Sequence, residues 1–446
     1  MPDLSRLTDA LLSAARRAGA EEADALAMGG TSLSIDIRAG KLEQAERSEG
    51  TEIGLRVLIG GRQACVSASD VSDATIAALA ERAVAMAREA PVDPYAGLAD
   101  AGQIARGWDL AALELADPAD EPGAAELEAA ARAVEAAAMG RAGITQVEAS
   151  ASYGRRALHL AASNGFSGGY GRTSHSLSAV AFTGSGTAME RDWAAEGRIF
   201  ASDMPGAEGI GRLASERALQ RAGAVRPKTG TYPVLFDERV ASSLIGHLLS
   251  ATNGAAVARG ASWLRDALGQ QVLPAHLSVI EDPHRVRISA SRPFDGEGLP
   301  TRRRVIVENG MLTGWTLDLA TGRKLGMPST ANAARGASSP PSPSTSNIDL
   351  TPGAVSREDL IAQMGTGLLV TSMIGSTISA TTGDYSRGAA GFWVENGVIR
   401  YPVNECTIAG NLRDMLLRII PANDARAHLS TRVPSLLIDG MTLAGA

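Results

Sequence analysis

Between Thr231 and Trp263 the chain reads TYPVLFDERVASSLIGHLLSATNGAAVARGASW, and a strand pattern passes into a helix pattern there without a spacer. Pro233, Val234, Leu235 and Phe236 form the continuous apolar run of a buried strand. Asp237 follows as a helix cap, and Val240, Ala241, Leu244 and Leu248 then recur at helical spacing on one face. Such a chain must bury a strand and turn a helix off its end, so the core has to form around this junction. The opening of that helix displays Asp237, Glu238 and Ser242.

Upstream, Leu4, Leu7, Leu11, Leu12 and Ala15 predict an amphipathic helix closed by Gly19. Strands are expected from Ser32 to Arg38, Glu52 to Leu58 and Arg62 to Ser67, with turns at Ala39-Gly40 and Gly60-Gly61. Ser72 predicts the cap of a second helix that ends before Pro91. After a polar connection over 93–120, an Ala-rich helix with Pro122 in its first turn runs to Gly140. Four strands follow, Ile144 to Tyr153, Arg155 to Ser163, Thr173 to Thr183 and Ala188 to Arg198, with Asn164-Gly165 as a hairpin turn. A helix from Glu208 to Ala222 closes this part at Gly223.

Beyond the central helix β signals dominate, and Val-Glu-Asn-Gly turns two hairpins, within Arg302 to Trp315 and Ala389 to Val403. Ala331 to Asn347, rich in Ser, Pro and Ala, reads as a mobile loop or a segment ordered by a partner. The expectation is an α+β protein: an N-terminal α/β domain of antiparallel hairpins and helices over 1–223, a linker at 224–230, and a β-rich, barrel-like domain over 231–446.

Composition narrows the function. With 42 basic and 49 acidic residues the net charge is −7, and no Lys/Arg cluster is dense enough to follow a phosphate backbone, so nucleic acid is not an expected partner. Asp3 and Asp9 interrupt what would be the apolar core of a signal peptide, and no apolar run is long enough to cross a bilayer. Cys65 and Cys406 are the only cysteines, which suits a reducing compartment. A cytoplasmic protein with no membrane association is expected.

Several candidate sites compete with plainer readings. Gly165, Ser167 and Gly169 match the GxSxG pattern, but no helix follows to make a nucleophile elbow. The six histidines never fall at a metal-binding spacing, and His247 reads as a core histidine bonded to backbone. Cys406 reads as a structural thiol, and the glycines around 206–211 form no phosphate loop. Gly383, Asp384, Tyr385, Ser386 and Arg387 combine backbone freedom, charge and an aromatic ring ahead of a hairpin. They read either as a cavity wall that meets an extended peptide or as a long turn held by Asp384 with Arg387.

The opening of the central helix, Arg292 to Gly310, Ile374 to Val403, Ile408 to Ile419 and, more loosely, Gly54 to Asp70 together resemble the TldD/PmbA family. In the TldD branch an HExxxH zinc motif stands on the corresponding helix, where two imidazoles bind the metal and the glutamate polarises its water. Here that window reads Asp237-Glu238-Arg239-Val240-Ala241-Ser242, so the motif is degenerate and the resemblance is to the PmbA (TldE) branch. The resemblance implies no catalytic residue, metal or cofactor in this chain, and zinc in a TldD-like partner. That pair would enclose a cavity in which unfolded or extended peptides are hydrolysed. Two other outcomes stay open: an autonomous metal-dependent peptidase whose ligands converge from distant segments, and a non-enzymatic peptide-binding or regulatory homodimer.

Overall fold

The computed structural model describes residues 3–446. Asp3 accepts hydrogen bonds from the Ser5 and Arg6 amides, so α1 (Leu4–Ala18) starts under a side-chain cap, and Gly19 closes it at φ 98°. Next come β1 (Glu22–Arg38), β2 (Lys41–Ile59), β3 (Arg62–Ala68), α2 (Asp73–Glu89), α3 (Ala124–Met139), β4 (Ile144–Ala162), β5 (Ser167–Thr183), β6 (Glu190–Arg198) and α4 (Ala207–Gln220). The strands form one six-stranded antiparallel sheet in the order β3-β2-β1-β4-β5-β6.

Strand alternation sorts its two faces. Ala23, Ala25 and Ala27 of β1 pack with α1 and α2, and Leu33, Ile35 and Ile37 pack with Leu127 and Ala131 of α3. Leu26, from the other face, joins Leu160 and Phe166 of the N-terminal part and Phe294 of the C-terminal part.

Several expectations shift here, among them the starts of β2 at Lys41 rather than Glu52 and of β5 at Ser167 rather than Thr173. β1 begins at Glu22 rather than Ser32, because EADALAMGG is rich in Ala and Gly and carries little intrinsic strand signal. No break separates Tyr153 from Arg155: Gly154 stays in the ladder opposite Ser32 and Ser174. Pro122 precedes the cap residue Gly123 instead of entering the first turn of α3.

The predicted strand and helix at the centre are β7 (Gly230–Phe236) and α5 (Glu238–Ala251). After them come α6 (Gly254–Ala258), β8 (Val279–Glu281), β9 (Arg304–Glu308), β10 (Met311–Leu312), α7 (Leu319–Leu325), β11 (Ala333–Ala334), β12 (Ser342–Pro343), β13 (Ile348–Leu350) and α8 (Arg357–Met364). The chain finishes with β14 (Gly367–Ile378), β15 (Asp384–Glu395), β16 (Val398–Asn411), α9 (Leu412–Leu416), β17 (Ile420–Pro421), β18 (Thr431–Arg432) and β19 (Leu436–Ala444).

Strands β16-β15-β14-β7-β19 close into a five-stranded barrel through the β16–β19 pairing, and a second sheet runs β10-β9-β8-β13-β18. Alternation again assigns the faces: Val234 and Phe236 join Leu244, Ile245 and Leu248 of α5, whereas Leu235 packs with Leu360 and Ile361 of α8. Both Asn-Gly turns carry positive φ at both residues, 48° and 82° at Asn309 and Gly310, 52° and 71° at Asn396 and Gly397. That is the backbone twist a two-residue hairpin requires.

The segment from Ala331 to Asn347 is a strap fixed by its own chain, neither a mobile loop nor one in need of a partner. Arg335 pairs with Asp24 of β1, Asn332 and Asn347 are buried, and Ala337 lies on Gly54 of β2. A Cβ on Gly54 would come within 2.1 Å of the Ala337 carbonyl oxygen, so close backbone contact, which the composition does not advertise, orders the strap.

Candidate functional cleft

The chain leaves β7 at Phe236, and the Asp237 amide donates to the Val370 carbonyl, which ties the head of α5 to β14. The Asp237 carboxylate caps α5 by accepting from the Arg239 amide at 3.3 Å, as the sequence predicts. It also accepts from Arg239 Nε at 3.0 Å and from Arg357 Nη1 at 2.9 Å. Burial pushes the Asp237 pKa up, but Arg239 and then Arg357 overcome it and hold it below the ordinary range.

Glu238 points the other way and accepts from Arg426 Nε at 3.0 Å. Its burial outweighs the Arg426 attraction, so its pKa lies above the ordinary value. Strand β6 supplies the counter-charges: Asp192 accepts from Arg239 at 2.9 Å, and Glu196 accepts from Arg426 at 3.1 Å. Ser242 follows one turn later, half-buried.

This helix head opens into a cleft of about 610 Å³ between α4, α5, the start of α8 and strands β14 to β16. Arg217, Arg239, Arg357 and Arg400 line it together with Asp237 and Glu238, and Leu369, Phe392, Tyr401 and Pro402 give it an apolar side. Arg217 donates to the Trp193 carbonyl at 3.0 Å; burial, and then repulsion from Arg239, lowers its pKa. Thr371 lies on the cleft wall and is 6% exposed, and its Oγ1 has no hydrogen-bond partner. Arg217, Thr371, Phe392 and Arg400 are not marked by spacing: they come from α4, β14, β15 and β16, and folding alone brings them to the helix head. A second hollow, of about 520 Å³, lies over Gly29, Gly30 and Gly50 of the N-terminal sheet, away from the strand-helix junction.

The donor set of the helix head does not fit a zinc ion. A zinc site there needs neutral imidazoles or free anionic ligands. Asp237 and Glu238 are instead held by three guanidiniums, Arg239, Arg357 and Arg426, which oppose a second cation. Among the described residues no group of three or more His, Cys, Asp and Glu side chains is placed to hold a metal.

The glycine-rich segment lies at the far end of the barrel. Gly383, at φ 81°, packs on Trp263, and exposed Asp384 accepts from Thr382 Oγ1 at 2.6 Å and from Asn411 Nδ2 at 3.1 Å. The predicted pairing of Asp384 with Arg387 is therefore not formed. Tyr385 is 2% exposed in the barrel core, its pKa pushed up to about 12 by burial, and its hydroxyl donates to Met373 Sδ at 3.4 Å. Ser386 and Arg387 are half-buried. Tyr385 and Phe392 stand seven residues apart on β15, so this end and the cleft are about 23 Å apart along the strand. His247, near the tail of α5, faces the Tyr385 ring at 5.9 Å; its Nε2 is buried without a partner instead of bonding to backbone. Ser167 stands at the start of a strand rather than before a helix, so the GxSxG match has no elbow.

Residues 23–87, 115–222 and 229–445 match domain 1, the central domain and the C-terminal domain of the PmbA/TldA metallopeptidases. The chain is 38% identical to metalloprotease PmbA of Escherichia coli O157:H7 over 93% of its own length and 90% of that protein, and 35% identical to the PmbA homologue of Haemophilus influenzae with the same coverage. A Bacteroides thetaiotaomicron structure, of a proposed modulator of DNA gyrase, superposes with a TM-score of 0.91 at 27% identity, covering 99% of this chain and 98% of that one. TldE of Thermococcus kodakarensis shares the fold, with a TM-score of 0.85 at 18% identity over 98% of this chain and all of that chain, 100%. The chain belongs to the PmbA/TldD metallopeptidase family, in its PmbA branch.

Proposed function

We propose that this chain is the PmbA/TldE-type subunit of a zinc metallopeptidase assembly acting on unfolded or extended peptides in the cytoplasm. In this reading it walls the peptide cavity, and a TldD-like partner supplies the zinc, the glutamate and the attacking water. The observation that carries it is the head of α5. The two positions that hold imidazole ligands in the TldD branch are here Asp237, already held by guanidiniums, and Ser242, yet the helix head still opens into a cleft of about 610 Å³. The charged, partly apolar wall suits binding and orienting a peptide, the contribution that proximity makes to hydrolysis.

The test mixes the purified chain with a TldD-like subunit and follows cleavage of an unstructured peptide. Cleavage is expected from the mixture alone, and it should vanish when the partner's motif glutamate becomes glutamine. Stoichiometric zinc in the isolated chain, with cleavage abolished by Glu238→Gln, overturns the proposal.

A further inference from the structure

The cleft at the head of α5 holds more positive charge than its fold consumes. Arg239 and Arg357 share the Asp237 carboxylate, but Arg217 spends its one side-chain bond on a carbonyl, and Arg400 stands exposed on β16. Among the described residues neither Arg217 nor Arg400 forms an ion pair with a carboxylate. One further donor belongs to the cleft wall: Thr371 Oγ1, in a residue more than nine-tenths buried, has no partner, whereas the head of α5 is already capped by Asp237. Beside them Phe392, Leu369, Tyr401 and Pro402 form an apolar wall.

Forked guanidiniums and an unused hydroxyl suit a carboxylate, and the adjoining wall suits an apolar group one residue away. We infer that this cleft binds the free C-terminal carboxylate of an extended peptide, with Arg217, Arg400 and Thr371 around the carboxylate and Phe392 against an apolar last side chain. The inference rests on reading the cleft as part of the peptide cavity. It adds a polarity to that cavity: the peptide enters with its C-terminus toward this subunit. No bond is made or broken in the cleft, so the three residues are binding residues only.

The test uses the full chain and an unstructured octapeptide ending in phenylalanine, labelled with fluorescein at its amino end, as the free acid and as the C-terminal amide. Fluorescence anisotropy should show the acid binding at least about tenfold more tightly than the amide, the effect of losing a charge-assisted hydrogen bond. Arg400→Gln, on an exposed side chain, should abolish that preference, and the near-isosteric Thr371→Val should reduce it about fivefold. Equal binding of acid and amide, absence of binding, or a preference that survives both substitutions overturns the inference. So does displacement of the peptide acid by inorganic phosphate in the peptide's own concentration range, which would mean a site for any small anion.

Adding a TldD-like subunit separates the two claims. Partner-dependent cleavage without acid preference sinks the inference and leaves the subunit reading standing. Acid preference without cleavage on mixing does the reverse.

Discussion

Two arginine-carboxylate clusters in this chain have the same composition and different surroundings. At Asp24, Arg56 of β2 and Arg335 of the strap converge on one carboxylate, and none of the three side chains is more than 4% exposed. At Asp237, Arg239 and Arg357 converge in the same way, but Arg357 is 35% exposed and a cleft adjoins. Burial pushes the Asp24 pKa up, and Arg335 and Arg56 together reverse it, so the carboxylate stays charged and the cluster joins the N-terminal sheet to the strap. In the cleft two more guanidiniums stand close by without an acid. A cluster whose three side chains are all walled off from solvent is a structural lock, and one with a partly exposed guanidinium and further cations beside open space is a site.

Removing the shared acid from each cluster should separate them. Asp24→Ala leaves two buried guanidiniums uncompensated and is expected to cost about 3–5 kcal/mol in denaturant unfolding, the largest single-residue loss in the chain's polar framework. Asp237→Ala removes a cap and two ion pairs, but Arg357 is partly solvated and the cleft admits water, so about 2 kcal/mol is expected. Acetate should restore part of that stability in Asp237→Ala and none in Asp24→Ala. Equal losses with equal rescue would break the distinction between lock and site.

The strand-helix junction was legible because its signals are local: an apolar run, a capping aspartate and a helical repeat follow one another within 18 residues, from Thr231 to Leu248. The Asn-Gly turns were legible for the same reason. Ala-rich β1 extends beyond the strand its sequence predicts because burial under α1 and α2, rather than strand propensity, makes it a strand. The strap's composition predicts a mobile loop or a segment ordered by a partner, because what fixes it, Asp24 and Gly54, lies some three hundred residues upstream. The cleft fared in the same way. Asp237 and Glu238 were visible, whereas Arg217, Thr371, Phe392 and Arg400 carry no shared spacing. In the glycine-rich segment sequence proximity misled: Arg387 is three residues from Asp384, but Asn411, 27 residues away, is its partner.

Asp237 and Glu238 sharpen the comparison further, because these adjacent carboxyl groups titrate in opposite senses. The folded pKa of Asp237 lies below its ordinary 3.8, so its stabilisation is fully present above 3.8 and is lost as pH falls through the folded value. The stability gap between wild type and Asp237→Asn should therefore be constant through neutral pH and close below about pH 4, in urea titrations run across the range.

Glu238 has a folded pKa above its ordinary 4.5, so in the window between the two values the folded state holds a proton that the unfolded state has released. Wild type should then lose stability relative to Glu238→Gln as pH rises through that window, by less than about 1 kcal/mol, because glutamine still accepts from Arg426 and water reaches the cleft. Parallel profiles for the two variants would mean that the guanidiniums do not discriminate between the carboxylates. Opposed profiles would show that the guanidiniums overcome the effect of burial at Asp237 and fail to do so at Glu238.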